Sequence, residues 1–295
     1  MPKRILFQFD CDPHPSSFDA VVAIDSEIDH LVPYAGVQAT SIQPLVHGAM
    51  FTRGGDDLKN TAIFIGGSDV SVAETLLRCV NETFFGPVRV SVMMDANGCN
   101  TTAAAAVVAA ARHVDLPGAK AVVLGGTGPV GGRVARLLAG DGVTVTVTSR
   151  SLPRAASMCE RVQEQLADRP GAGTLNPAVL DSPDDVADIL SDAEIVIACG
   201  AAGVQLASES DLVAASHLKV AIDLNAVPPA GLGGVAVTDK AKPIENSEAV
   251  SYGAIGVGGL KMKTHRAAIR SLFETNDKVL DADEIYALAK AVEAE

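Results

Sequence analysis

Apolar and polar residues change their period several times along this chain, and each change predicts an element. Ile5-Leu6-Phe7-Gln8-Phe9 is a short strand-forming run, followed by a Pro/Ser/Asp stretch from Asp12 to Asp19 and an amphipathic segment starting near Phe18. Thr61-Ala62-Ile63-Phe64-Ile65, bounded by Gly66-Gly67, predicts a second strand. Helical spacing resumes over Val70–Phe84, and Val88–Met94 predicts a third strand. Asn100-Thr101-Thr102 can cap a helix over Ala103–Arg112, where nearly every residue favours helix. Leu116-Pro117-Gly118 then breaks the pattern.

Beyond that break the alternation is clearer. Strands are expected at Lys120–Leu124, Val143–Thr148, Glu194–Ala198 and Leu218–Ile222, with a helix at Val130–Ala139. Strands separated by helix-length segments imply a parallel sheet with helices on both faces. Ala226–Gly234 reads as an ordered Pro/Gly loop, and two C-terminal helices are expected at Met262–Phe273 and Ala282–Val292. The fold class is therefore α/β and two-lobed: a Rossmann-type, doubly wound parallel sheet plus a second α/β lobe. The expected domains are residues 1–115, a dinucleotide-binding domain at 116–255, and C-terminal helices at 256–295 that pack back on the first lobe.

Composition narrows the function. The net charge of −13 disfavours a nucleic-acid partner, since phosphate neutralisation needs basic residues. An anionic ligand must then be drawn by a local cation. The five cysteines at 11, 79, 99, 159 and 199 form no Cys-x-x-Cys pair and read as reduced thiols of a cytoplasmic protein. The apolar run Ala103–Ala111 is too short to span a membrane, so no membrane partner is expected.

The strand at Lys120–Leu124 leads directly into Gly126-Thr127-Gly128-Pro129-Val130-Gly131 and then a helix. This is the Gly-x-Gly-x-x-Gly dinucleotide fingerprint in its proper context. Its glycines allow the tight turn, the approach of the pyrophosphate and close helix–strand packing, and the helix dipole faces the phosphates. The next strand ends in Ser149-Arg150, with no carboxylate before Glu160. A carboxylate there would hold a ribose 2′-hydroxyl, whereas Arg150 can pair with a 2′-phosphate, so NADP is expected, with NAD an alternative. Loops carrying Cys199, Ala201 and Asn225 should flank the nicotinamide end.

Catalytic chemistry is less legible. No His-Glu-x-x-His or Gly-x-Ser-x-Gly occurs, and Asp10, Asp12 and His14 read as a solvated loop, so no metal site is expected. Hydride transfer needs no nucleophile–base set. Two segments look suited to contact: Asp95–Thr102, and the glycine-rich run from Gly253 that ends in Lys261, Lys263, His265 and Arg266. On these grounds alone the chain could be an NADP dehydrogenase of a small polar substrate, such as a shikimate-like hydroxy acid, or a non-catalytic NADP sensor.

Longer motifs add a family. Leu6-Phe7-Gln8-Phe9-Asp10, Phe18-Asp19, Phe84-Phe85-Gly86-Pro87, Asp95-x-Asn97-Gly98-x-Asn100-Thr101-Thr102, Asn225-Ala226-x-Pro228-Pro229, Gly256-x-Gly258-Gly259-Leu260-Lys261-x-Lys263-x-His265-Arg266 and Asp283-Glu284-Ile285-Tyr286 run nearly end to end. In these motifs the chain resembles the methylenetetrahydromethanopterin dehydrogenases of methylotrophic bacteria. The resemblance implies hydride transfer from the methylene bridge of a tetrahydropterin carrier (tetrahydromethanopterin, tetrahydrofolate or both) to NADP, giving the methenyl form. It implies Lys261 as the leading catalytic and substrate-site residue, with Asp19, Asp95, Asn97 and Asn100 lining the pterin pocket in a cleft between lobes. It also implies a homo-oligomer.

Overall fold

A computed structural model describes residues 2–180 and 183–295. The chain begins with β1 (Ile5–Asp10), α1 (Ser17–Ile24), β2 (His30–Tyr34), α2 (Ile42–Phe51), β3 (Thr61–Gly66), α3 (Val70–Thr83), β4 (Ser91–Met94) and α4 (Cys99–Ala111). It continues through β5 (Lys120–Leu124), α5 (Pro129–Gly140), β6 (Thr144–Ser149), α6 (Leu152–Gln165), β7 (Leu175–Val179), α7 (Pro183–Leu190), β8 (Ile195–Ala198), α8 (Glu209–Ala214), β9 (Val220–Asp223), β10 (Lys240–Pro243) and β11 (Val250–Tyr252). The last elements are α9 (Ala254–Ser271), β12 (Val279–Leu280) and α10 (Ala282–Ala294).

These elements form two compact units, Met1–Thr101 with Leu260–Glu295, and Thr102–Gly259. The division falls inside α4 and α9, whereas the Leu116-Pro117-Gly118 break lies in the loop before β5. In the first unit the strand order is β2-β1-β3-β4-β12, and every pair is parallel. The order reverses between β1 and β3, which makes their carboxyl ends the expected ligand crevice of such a sheet. In the second unit the order is β7-β6-β5-β8-β9-β11, all parallel, with β10 antiparallel at the edge. That is the doubly wound dinucleotide-binding order, reversing between β5 and β8.

The strands hold because both sheet faces are covered. All residues of β3, β4, β8 and β9 are buried, the continuous apolar pattern that parallel sheets require. Val122, Leu124, Val196, Ala198, Leu212, Leu218 and Leu232 form one packed cluster in the second unit. Each fully buried Leu or Val side chain contributes roughly 1.5–3 kcal/mol. Residues Ala103–Ala110 of α4 are likewise buried all round.

Three boundaries differ from the sequence expectation, each for a local reason. β4 starts at Ser91 because Phe85 and Val88 bridge across a turn in which Gly86 adopts φ +56°. α4 starts at Cys99, so Asn100 and Thr101 lie in its first turn. Its leading amides are capped by Asp95, whose Oδ1 accepts from the N–H groups of Asn100 (2.9 Å) and Thr101 (3.0 Å). α9 begins at Ala254, so the glycine-rich run is helical. A side chain at Gly256 would overlap the Asp239 carbonyl, and glycine there lets the helix pass against that turn.

Candidate functional site

In the second unit, Gly125 and Gly126 donate their amides to Thr148 Oγ1 (3.0 Å) and Thr148 O (2.9 Å), which ties the glycine turn to the end of β6. A Cβ at Gly131 would stand 2.6 Å from the Gly126 Cα, so the first turn of α5 lies directly on the loop. Gly128 differs. It is the N-cap of α5, offers no side chain to the helix amides, and has no neighbouring atom within 4 Å of where a Cβ would stand. An uncapped helix start beside open space fits the pyrophosphate of a nicotinamide dinucleotide. Thr127 and Pro129-Val130 complete the turn, and Thr127 Oγ1 lies 3.4 Å from Ser149 Oγ. Arg150 follows β6 as an exposed side chain.

Two loops follow β8 and β9. Cys199 is half-buried, and burial raises its thiol above the ordinary range, so it stays protonated; Ala201 is exposed. Asn225 organises its own loop. Its Oδ1 accepts from Val227 N–H at 3.0 Å and its Nδ2 donates to Pro229 O at 3.4 Å. Buried Asp223, which the sequence did not single out, accepts from the amides of Asn225 (2.9 Å) and Leu232 (3.0 Å) and so fixes both ends of that loop.

In the first unit the carboxyl ends of β1, β3 and β4 carry a polar cluster. Asp10 accepts from the amides of Asp12 and Ser16, both at 2.9 Å. Asp12 accepts from Ser68 N–H (2.9 Å) and Ser68 Oγ (2.8 Å), joining the loops after β1 and β3. The Asp10-Cys11-Asp12 carboxylates are thus engaged as loop staples. Asp19, in the first turn of α1, is buried, and desolvation raises its carboxyl pKa against the pull of His265 and Lys261.

Asp95 is fully buried. Its Oδ2 accepts from Thr101 Oγ1 at 2.6 Å, yet burial outweighs its hydrogen bonds and lifts its pKa to about 6. Lys261, half-buried on α9, lies with its Nζ 5.5 Å from the Phe18 ring centroid and acts electrostatically on both carboxylates. His265, one helical turn further, belongs to the same group: its Nδ1 is 3.9 Å from Asp95 Oδ2.

The fold therefore brings Asp19, Asp95, Lys261 and His265 together. Asn97 stands beside them in left-handed conformation (φ 51°), exposed, its backbone N–H donating to Gly67 O at 2.7 Å. Asn100 is differently employed. Its buried side-chain amide donates to Met94 O (2.6 Å) and Asp281 Oδ1 (2.9 Å), bracing the end of β4 against the N-cap of α10. His265 had one signal in the sequence, its i, i+4 spacing from Lys261, which puts the two side chains on one helix face.

Known proteins resemble the chain in sequence and in fold. Residues 17–97 match the family described as methylene-tetrahydromethanopterin dehydrogenase, N-terminal, and residues 121–228 match the NAD dependent epimerase/dehydratase family. The chain is 43% identical to the bifunctional protein MdtA of Methylorubrum extorquens, covering 98% of this chain and 99% of that protein. It is 32% identical to the NAD(P)-dependent methylenetetrahydromethanopterin dehydrogenase of the same organism, covering 98% of each. Its fold resembles shikimate 5-dehydrogenase from Listeria monocytogenes in complex with shikimate and NAD (TM-score 0.57, 12% identity, 97% and 96% coverage). It also resembles 5-ketofructose reductase of Gluconobacter (TM-score 0.54, 13% identity, 99% coverage of both chains).

Proposed function

The chain belongs to the methylenetetrahydromethanopterin dehydrogenase family, and from that premise we propose that it oxidises the methylene bridge of a tetrahydropterin one-carbon carrier with NADP as hydride acceptor. The observation that carries this reading is the grouping of Lys261 with the buried carboxylates of Asp19 and Asp95 at the carboxyl ends of β1, β3 and β4.

In the reaction a methylene C–H bond breaks and its electron pair leaves as hydride. The carrier is left as a methenyl cation whose charge is shared by the two flanking nitrogens. When bound, the nicotinamide supplies the hydride acceptor at its C4. The protein's part is positional and electrostatic. Lys261 orients the carrier by donating hydrogen bonds and moves no proton in the chemical step. Asp19 and Asp95, ionised, outnumber the Lys261 charge by one, so the cluster favours a substrate that gains positive charge. The exposed Asn97 amide is available to a polar edge of the pterin, while Asn100 supports the pocket from behind. Gly126, Thr127, Gly128, Pro129, Val130 and Gly131 hold the pyrophosphate, Ser149 and Arg150 read the 2′-phosphate, and Cys199, Ala201 and Asn225 line the nicotinamide end.

The proposal extends to a cytoplasmic homo-oligomer of methylotrophic one-carbon metabolism, supported by the family resemblance. The chain presents no helix, among the described residues, long and apolar enough to cross a membrane.

The test is an assay of methylene-tetrahydromethanopterin and methylene-tetrahydrofolate, each with NADP and NAD. Formation of reduced nicotinamide with at least one carrier, faster with NADP, is expected. No turnover with either carrier, or turnover of shikimate-like hydroxy acids alone, would overturn the proposal.

A further inference from the structure

His265 is 1% exposed, and neither of its ring nitrogens has a hydrogen-bond partner. Buried polar atoms are nearly always bonded, and an unbonded one costs about 1–3 kcal/mol, so an imidazole left bare on both sides needs an explanation. Its surroundings offer one. The ring stacks on Phe64 of β3, with centroids 5.6 Å apart and planes inclined by 25°, which fixes its plane. Nδ1 then faces Asp95 Oδ2 from 3.9 Å, too far for a hydrogen bond and close enough for a small movement to make one. Gln8 Oε1 and Thr264 Oγ1 are buried and unbonded as well.

The charged groups around the ring come from three segments. Lys261 lies on its own helix, Asp19 on α1 and Asp95 after β4. Burial pushes the imidazole down to about 4, with Lys261 adding to the effect and Asp19 opposing it. At neutral pH the ring is therefore uncharged, and the excess of carboxylate over lysine charge is preserved.

We propose that His265 is a positioning residue of the hydride-transfer site: its neutral imidazole, braced on Phe64, aims Nδ1–H at Asp95 and holds that carboxylate ionised as the substrate becomes a cation. The proposal rests on the pterin-dehydrogenase reading. A protonated His265 would cancel the excess negative charge of the cluster and oppose cation formation. An apolar ring would take one polar neighbour away from Asp95 Oδ2 and make that carboxylate easier to protonate.

The test compares wild type, His265→Phe, which keeps the stack, and His265→Gln, which restores a donor. In wild type, kcat/KM should fall as pH drops through about 6, where Asp95 takes up a proton. In His265→Phe this acid limb should move up by about one pH unit and kcat should drop about tenfold with the KM for NADP unchanged, while His265→Gln should return the limb towards wild type. A limb that stays in place in both variants, or loss of NADP affinity equal to the loss of kcat, would overturn the proposal.

A measurement on the unaltered protein guards against variants that fail to fold. Imidazole nitrogen NMR should show His265 neutral and protonated at Nδ1 from about pH 5.5 to about pH 8, and a charged ring at pH 7 would refute the idea. If wild type turned over neither carrier, the parent reading would fail, whereas active wild type with an unmoved acid limb would sink only this inference.

Discussion

The glycine turn of the second unit occupies one uninterrupted stretch, Gly126 to Gly131, and presents backbone rather than side chains. The polar cluster of the first unit works with side chains drawn from residue 19, residue 95 and residues 261–265. In the turn, what matters is the absence of atoms: Gly128 leaves space open and Gly131 lets the helix rest on Gly126. In the cluster, what matters is the presence of charge under poor solvation, which raises both carboxyl groups and lowers His265. A cofactor used by many enzymes can be held by local geometry, while a particular substrate demands electrostatics assembled by the tertiary fold.

Lys261→Ala separates the two regions most strongly. Loss of the cluster's cation should lower kcat by about a hundredfold through misplacement of the carrier, with NADP binding unchanged. Steady-state kinetics against both ligands would check it, and a matching rise in the KM for NADP would blur the distinction. Arg150→Ala should act on the other side, weakening NADP by about 1.5–3 kcal/mol and leaving NAD nearly untouched. Equal effects on both cofactors would mean that Arg150 does not read the phosphate.

Two glycines sharpen the contrast within the turn itself. Gly128→Ala has room and an ordinary φ of −79°, so its melting temperature should match wild type while the KM for NADP rises about tenfold as the Cβ meets the pyrophosphate. Gly131→Ala should instead lose about 1–3 kcal/mol of stability by overpacking against Gly126. Calorimetry on the two variants distinguishes a ligand contact from a packing contact.

These contrasts follow what the sequence could and could not convey. The strands β1, β3, β5, β6, β8 and β9 were legible because short apolar runs bounded by turn residues carry their own signal. β2 gave none, since it is a largely exposed edge strand with Pro33 inside it, and α2 carries Pro44 and Gly48. The start of α9 was hidden because Gly256 suits packing against Asp239 while the glycines of the run weaken any helical pattern. The glycine turn was legible from its spacing together with the strand before it and the helix after it. Asp95 and Lys261 stood out only as parts of two contact segments and Asp19 came through the family resemblance, because nothing local in sequence says that three distant stretches meet. His265 was named within a contact segment without a place beside Asp95, and the bonds of Asn100 to Met94 and Asp281 were not foreseen, for the same reason.

The smallest expected effect lies in the pH dependence of stability. His265 has a folded value of about 4 against an ordinary 6.5, so wild type loses stability as pH falls between them. Asp95, at about 6 against an ordinary 3.8, gains stability over nearly the same window, and the two contributions oppose one another. In His265→Phe only the Asp95 contribution remains. Its stability relative to wild type should therefore rise as pH falls from 6.5 towards 4, and urea midpoints across that range would show the trend or its reverse.

The most direct test of the whole account follows the hydrogen itself. With a carrier deuterated at its methylene bridge and NADP in ordinary water, the deuterium should appear on C4 of the reduced nicotinamide in proportion to its content in the bridge. Reduced cofactor carrying hydrogen from solvent, with the deuterium lost to water, would contradict direct transfer between the two ligands.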